Sequence, residues 1–222
     1  MFPLRDRQPS YSKPVITVLL IVVNILVFLF EFSLDPYTRN AFIFAYGLVP
    51  DHFAVTNVFT SMFLHAGWLH VLANMWFLWI FGDNIEDILG HGKFLLFYLM
   101  CGVAAALTQV LASPGSRVPM VGASGAIAGV MGAYMMKFPR ARIVMGAWFV
   151  IIYTFDIPAW LMLIYWFVLQ LFGGFDSITA SQYSHGGGTA FLAHVGGFIA
   201  GMVLILLLGT RQPYSRRRDL SW

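Results

Sequence analysis

Residues 189–208 read TAFLAHVGGFIAGMVLILLL, a stretch without a single acidic residue, lysine or arginine. A helix needs about 20 apolar residues to cross a bilayer, so this stretch predicts a membrane-spanning helix. The rest of the chain agrees, because 59% of its 222 residues are hydrophobic and only 10% are charged. Soluble domains carry about 25% charged residues. The sequence therefore predicts an integral membrane protein that is surrounded by the lipid bilayer.

Other apolar stretches predict five more spans, and no segment is large enough to form a separate soluble domain. We expect an all-α, polytopic membrane domain of six transmembrane helices at residues 15–210. A cytoplasmic segment at residues 1–14 would precede it, and a basic cytoplasmic tail at residues 211–222 would follow. The predicted spans are 15–32, 68–81, 94–111, 124–136, 157–172 and 189–208.

Two regions between the spans need an interpretation of their own. Asp156 and Pro158 interrupt the long apolar run at residues 143–172, and proline is well placed in the first turn of a helix. We therefore expect span five to start at residue 157 and residues 143–155 to lie along the inner membrane interface. Several polar residues follow span two and predict a solvated inner loop; they are Asp83, Asn84, Glu86, Asp87 and Lys93.

The distribution of lysine and arginine predicts the orientation of the spans. With the N-terminus inside, the inner segments hold eleven of the thirteen basic residues, and only Arg39 and Arg117 fall in outer loops. Cytoplasmic loops carry such an excess of positive charge, so both termini are expected in the cytoplasm. The compact size and the lack of a transit peptide favour a bacterial-type inner membrane.

Four polar side chains from three predicted spans should lie at similar depth. Ser124 opens span four, His194 is five residues into span six, and His70 and Asn74 occupy one face at the start of span two. At about 1.5 Å per residue, all four fall within roughly 10 Å of the outer ends of their helices. A serine beside a histidine suggests nucleophilic hydrolysis, with Ser124 as nucleophile and His194 as general base.

Structural explanations for the same residues stay open. Ser124 could be a helix cap or a small packing residue, and His194 could be a structural histidine bonded to a carbonyl. His70 and Asn74 are suitable donors to a developing oxyanion, but they could also be a polar pair that joins helices. His65 is expected to have a structural role in anchoring its loop.

Glycines near these residues fit the geometry that a serine–histidine pair requires. Gly122 belongs to a Gly-x-Ser-Gly turn that presents the serine on a sharp bend. Gly125 in span four, and Gly197 and Gly201 in span six, belong to small-residue faces that let two helix backbones approach closely. The same glycines are compatible with ordinary helix packing.

Other classes of function are disfavoured. Basic residues lie in short loops and at the tail, without a patch for phosphates, so no nucleic-acid partner is expected. The spans contain no His-Glu-x-x-His motif and no carboxylate in the outer layer of spans two, four or six, so we expect no metal site. Asp83 and Asp156 lie near the inner ends, at the wrong depth for aspartyl chemistry. No cofactor is expected.

Three motifs together resemble the rhomboid family of intramembrane serine proteases. They are HAGWLHVLAN at residues 65–74, GASG at 122–125 and AHVGG at 193–197. The resemblance implies Ser124 as nucleophile and His194 as base, with His70, Asn74 and the backbone N–H of Ser124 holding the oxyanion. It further implies a short span four, water access from the outer face, and a lateral gate and cap formed by span five and residues 173–188.

The resemblance also implies the substrates, which would be single-span membrane proteins cut near the outer face. Two departures from the family pattern stand out. Ala128 occupies a position where some members carry an aromatic residue that packs on the histidine, and residues 33–61 lack a tryptophan that some members have. A non-proteolytic scaffold and a small transporter are the alternative functions. The scaffold is disfavoured because both Ser124 and His194 are present, and the transporter because the spans lack paired acidic residues.

Overall fold

A helical bundle dominates the computed structural model of the chain, which describes residues 2–148, 152–180 and 190–210. The predicted tail at 211–222 and residues 181–188 of the predicted cap lie outside the described residues. This apolar helical architecture confirms the expected fold class. The eight helices of the described part are α1 Val15–Ser33, α2 Pro36–Tyr46, α3 Val55–Thr60, α4 Trp68–Leu89, α5 His91–Ala112, α6 Ser124–Lys137, α7 Ala159–Ala180 and α8 Phe191–Leu207.

Length and hydropathy single out two helices of the described part, α1 and α5, as able to span a membrane unaided. A third candidate combines residues Val55–Phe63 with α4, across a bend of 89°. Shorter apolar helices are found at Ala159–Phe172 and Phe191–Leu207. The six-span count therefore stays a prediction.

A small antiparallel sheet is the main feature that the all-α prediction did not contain. Its strands are β1 Phe2–Asp6, β2 Arg142–Trp148 and β3 Ile152–Pro158, in the order β1-β2-β3. Two paired strands therefore occupy most of residues 143–155, and the first helical residue after them is Ala159 rather than residue 157. The expected location of this segment along the inner membrane interface stays a prediction. Strand pairing satisfies the backbone polar groups of this apolar segment, which an irregular chain would leave exposed to lipid.

The predicted solvated loop after span two is also wrong, because α4 continues to Leu89. Glu86 lies on this added length and is fully buried. Its carboxylate accepts hydrogen bonds from the N–H groups of Ile16 and Thr17 at 2.8 Å and from the Thr17 hydroxyl at 2.7 Å. These N–H groups are in the first turn of α1, where a helix lacks internal acceptors. Glu86 thus caps α1, which explains a carboxylate inside the bundle.

Contacts between glycine-rich faces hold α6 against α8. A Cβ atom added at Gly197 would overlap the carbonyl of Gly125, and one added at Gly201 would overlap the carbonyl of Gly129. A Cβ at Gly125 would lie 2.5 Å from the Cβ of Ala105 in α5. The three helices therefore approach at backbone distance. This close approach brings the start of α6 next to the start of α8.

The segment between α1 and α4 folds back on the bundle through polar and aromatic contacts. The guanidinium of Arg39 donates to the carbonyl oxygen of Ala66 at 3.2 Å and lies 5.7 Å from the ring centre of Phe32. The Trp68 ring packs edge-on against Phe28 at 4.9 Å and Phe32 at 5.2 Å between ring centres. These contacts anchor the loop, which contains no tryptophan of its own between residues 33 and 61.

Candidate active site

Gly122 and the first turn of α6 determine where Ser124 points. Gly122 has φ +126°, a conformation that favours glycine, and its N–H donates to the Ser61 carbonyl at 2.8 Å. A Cβ at this position would lie 2.7 Å from the His70 ring. The helix begins immediately afterwards, with Ser124 as its first residue. Ser124 therefore sits where the N–H groups of the helix have no internal acceptor and can face an anion.

His194 meets Ser124 across the α6–α8 contact. Its Nε2 atom lies 2.7 Å from the Ser124 hydroxyl oxygen, and its imidazole is largely buried. The other ring nitrogen, Nδ1, lies 2.7 Å from the side-chain oxygen of Gln170 in α7. Both nitrogens of the imidazole are therefore engaged, one with the predicted nucleophile and one with an amide.

Aromatic rings from α7 and from the first turn of α8 itself pack against the imidazole of His194. The Trp166 ring centre is 5.9 Å away at a tilt of 39°, and that of Phe191 is 6.5 Å away in an edge contact. Ala128 is fully buried and has no ring to contribute. Trp166 and Phe191 thus surround the histidine where some family members use an aromatic residue on α6.

A cavity of about 890 Å³ joins the polar residues at this end of the bundle. His70, Asn74, Ser124, Gln170 and His194 all line it. The side-chain nitrogen of Asn74 is buried and has no hydrogen-bond partner in the described residues. An unsatisfied buried donor costs free energy. Such a donor, in the same cavity as Ser124, is available for a ligand oxygen.

His65 lies behind this wall of the cavity rather than in it. It is fully buried, its backbone N–H donates to the Glu31 carboxylate at 3.1 Å, and its ring packs edge-on against His70 with 5.1 Å between centres. The contact with His70 restricts the orientation of that ring. Glu31, which fixes this loop from α1, was not among the residues singled out from the sequence.

Gln170 is the residue of the site that the sequence analysis missed. A signal was present, because Gln170 is the lone amide side chain in residues 157–172. Polar side chains within a span are costly and face the bundle interior. Metal ligation has no comparable support, since the described ranges hold no group of three or more histidine, cysteine or acidic side chains.

The fold and the site define a multi-pass membrane protein with a serine and a histidine in contact beside a cavity. Its sequence matches the family described as "Rhomboid domain" over residues 52–211, which is more than half of the chain. The chain therefore belongs to the rhomboid family.

Curated relatives come from bacteria, chloroplasts and mitochondria. "Rhomboid protease GluP" of Bacillus subtilis is 32% identical over 128 residues, covering 56% of this chain and 25% of the relative. "Rhomboid-like protein 11, chloroplastic" of Arabidopsis thaliana is 31% identical over 173 residues, covering 73% and 55%. The human "Presenilin-associated rhomboid-like protein, mitochondrial" is 38% identical over 85 residues, covering 37% and 22%. The chain thus spans between about a quarter and a half of the length of these relatives.

Proposed function

We propose that this chain is an intramembrane serine endopeptidase that hydrolyses peptide bonds in or near the transmembrane segments of single-span membrane proteins. The observation that carries the proposal is the 2.7 Å contact between His194 Nε2 and Ser124 Oγ. A general base must be within about 3 Å of the proton that it removes. Two residues 70 positions apart meet this requirement inside an apolar bundle, which supports a dyad over a chance polar contact.

The reaction would begin with proton transfer. His194 Nε2 takes the hydroxyl proton of Ser124 as Oγ attacks the scissile carbonyl carbon. The carbonyl oxygen becomes negative, and the His70 ring, the Asn74 amide and the Ser124 N–H would donate to it. His194 then gives its proton to the leaving amine, and the peptide bond breaks to leave an acyl-serine. Water attacks this ester, again with His194 as base, and regenerates the enzyme.

The proposed reaction requires an extended rather than a helical substrate. A peptide carbonyl can reach Ser124 only after the substrate helix has unwound, because helical carbonyls are enclosed by their own hydrogen bonds. Substrates should therefore carry weak helix formers such as glycine or proline near a small residue at the cut. We place the cut near the outer face of the membrane, with both termini of the enzyme in the cytoplasm of a bacterial-type cell. No cofactor takes part in this mechanism.

A reconstituted cleavage assay tests the proposal. The purified chain is placed in liposomes with a labelled single-span substrate, and the products are mapped by mass spectrometry. We expect Ser124→Ala and His194→Ala to abolish cleavage while both proteins remain folded. The matched controls Ser33→Ala and His52→Ala change exposed residues away from the cavity and should cleave as the unaltered chain does.

Covalent labelling gives a second readout. A fluorophosphonate probe should modify Ser124 in the unaltered chain and should not label the Ser124→Ala variant. Undiminished cleavage by either dyad variant would reject the proposed function. Absence of both cleavage and labelling in the folded, unaltered chain would favour a non-proteolytic scaffold instead.

A further inference from the structure

We propose that Gln170 is a positioning residue that holds His194 in the tautomer able to accept the Ser124 proton. The inference rests on the proposed function and adds a third member to the catalytic group. It is carried by one geometric fact: Gln170 Oε1 lies 2.7 Å from Nδ1, while Ser124 Oγ lies 2.7 Å from Nε2 of the same ring.

The chemistry follows from the hydrogen-bonding capacity of a neutral imidazole, which has one N–H donor and one acceptor nitrogen. An amide oxygen can only accept, so the hydrogen bond to Gln170 requires the proton to be on Nδ1. The lone pair is then on Nε2 and faces the Ser124 hydroxyl. Without an acceptor at Nδ1, the ring is free to carry its proton on Nε2, where it would donate to Ser124 and could not act as base.

Gln170 also has a role after proton transfer. When Nε2 takes the serine proton, the ring becomes a cation with N–H groups on both sides. The dipole of the Gln170 carbonyl group then faces the positive charge through the Nδ1–H bond. Residues 193–198 and α6 supply no acidic partner. A neutral amide in this position orients the base without placing a second charge in the apolar bundle, where charges are costly.

The position of Gln170 ties the base to α7 as well as to α6. Trp166 lies one turn before Gln170 and packs against both His194 and Phe198. Phe167 packs against Phe198 with 4.8 Å between ring centres. One face of α7 thus determines both the packing and the protonation pattern of the imidazole. A displacement of α7 would separate the amide from the ring while the Ser124–His194 contact could remain.

The test uses Gln170→Leu, which keeps a side chain of similar size but has no acceptor. We expect kcat for the single-span substrate to fall roughly tenfold to a hundredfold, the range for loss of a buried hydrogen bond at a reacting group, with KM nearly unchanged. Gln170→Glu keeps an acceptor oxygen at the same reach and should restore kcat well above that of the leucine variant. Tyr165→Leu, an exposed polar-to-leucine change on the same helix, is the matched control and should retain full activity.

Nitrogen-15 NMR of histidine-labelled protein gives a readout that a purely structural role would not change. The chain contains six histidines, and the His194 resonances are assigned by their absence from the His194→Ala variant. We expect a protonated Nδ1 and an unprotonated Nε2 in the unaltered chain, and a shift toward protonated Nε2 in Gln170→Leu.

Two results would overturn the inference. One is a proton on Nε2 in the unaltered chain, which would mean that the Gln170 amide donates to the ring instead of accepting. The other is a Gln170→Leu variant with kcat within twofold of the unaltered chain. If His194→Ala is inactive and Gln170→Leu is fully active, this inference alone fails. If His194→Ala still cleaves, the proposed function fails first.

Discussion

Buried polar side chains near the two ends of helix α4 differ in whether their hydrogen bonds are satisfied. At the start of α4, Asn74 presents a buried side-chain nitrogen that has no partner in the described residues. Near the end of α4, the Glu86 carboxylate accepts three hydrogen bonds from α1 and contacts His91 Nδ1 at 2.6 Å. The same helix therefore carries an unsatisfied hydrogen-bond donor towards its start and a satisfied acceptor towards its end.

This difference in hydrogen bonding distinguishes a side chain proposed to take part in the reaction from one that stabilises the fold. In the proposed function, the unsatisfied Asn74 donor meets a substrate oxygen, so it would contribute to chemistry and not to stability. A carboxylate with several donors contributes to stability, and removing it leaves buried N–H groups without acceptors. The comparison is tested by substitutions that should affect either activity or stability, but not both.

Of these substitutions, Glu86→Ala should produce the largest effect, which is a loss of stability. Removing a buried hydrogen-bonded charge costs about 3–5 kcal/mol, so we expect the free energy of unfolding to fall by that amount. Chemical denaturation in detergent measures it. Asp51→Ala is the control, because its ion pair with Arg117 is exposed and worth little. A folded Glu86→Ala variant as stable as the control would break the comparison.

Asn74→Ala should have the second largest effect, which is a loss of activity. If Asn74 donates to the oxyanion as proposed, its loss should lower kcat by about 10²–10³, while the thermal midpoint should stay close to that of the unaltered chain. The matched control is Asn84→Ala on the same helix, since the Asn84 amide donates to the Gln8 carbonyl at 3.1 Å. This control should lose stability and keep kcat. A loss of stability from Asn74→Ala without loss of kcat would contradict the assignment.

Asp6→Asn should have the smallest effect, which is a change in thermal stability that depends on pH. Burial raises the pKa of Asp6 from 3.8 to about 6, although the Tyr134 hydroxyl donates to its carboxylate at 2.5 Å. Because the folded pKa exceeds the unfolded one, the folded state loses stability as pH rises through about 6. The asparagine variant should therefore melt a few degrees higher at pH 7.5, with a smaller difference at pH 5.

Asp35→Asn is the control of opposite sign for this experiment. Hydrogen bonds from Thr38, and from the Tyr37 N–H, lower the pKa of Asp35 at the start of α2. That variant should melt lower at pH 7.5, and its difference should shrink as pH falls below the ordinary carboxyl range. An Asp6→Asn variant that melts lower than the unaltered chain at pH 7.5 would show that the Asp6 carboxylate is stabilising.

Hydropathy depends on local sequence, so it predicted the apolar helices but not α2, α3 or the full length of α4. The similar depth of Ser124 and His194 followed from the place of each residue in its predicted span. The sheet was beyond this reasoning, since β1 pairs with a strand about 140 residues away and apolar residues in β2 fit a helix or a strand equally well. Glu86 was placed in solvent because charge predicts exposure, whereas its cap on α1 depends on a tertiary contact. Gln170 was missed because no local pattern indicates which nitrogen of a distant ring it meets.

The junction between the sheet and α7 determines how that helix can move. Two hydrogen bonds, from the N–H of Ala159 to the Ala141 carbonyl and from that of Trp160 to the Pro139 carbonyl, attach the start of α7 to the segment that follows α6. Gln170 is eleven residues after Ala159, so it lies roughly 16 Å along the helix from this attachment at about 1.5 Å per residue. A tilt of α7 by roughly 10° about this attachment would move the Gln170 amide by roughly 3 Å. This displacement is comparable to the length of the hydrogen bond between the amide and the imidazole. If Gln170 positions His194 as proposed, a small rotation of α7 would be enough to break the contact between the amide and the imidazole.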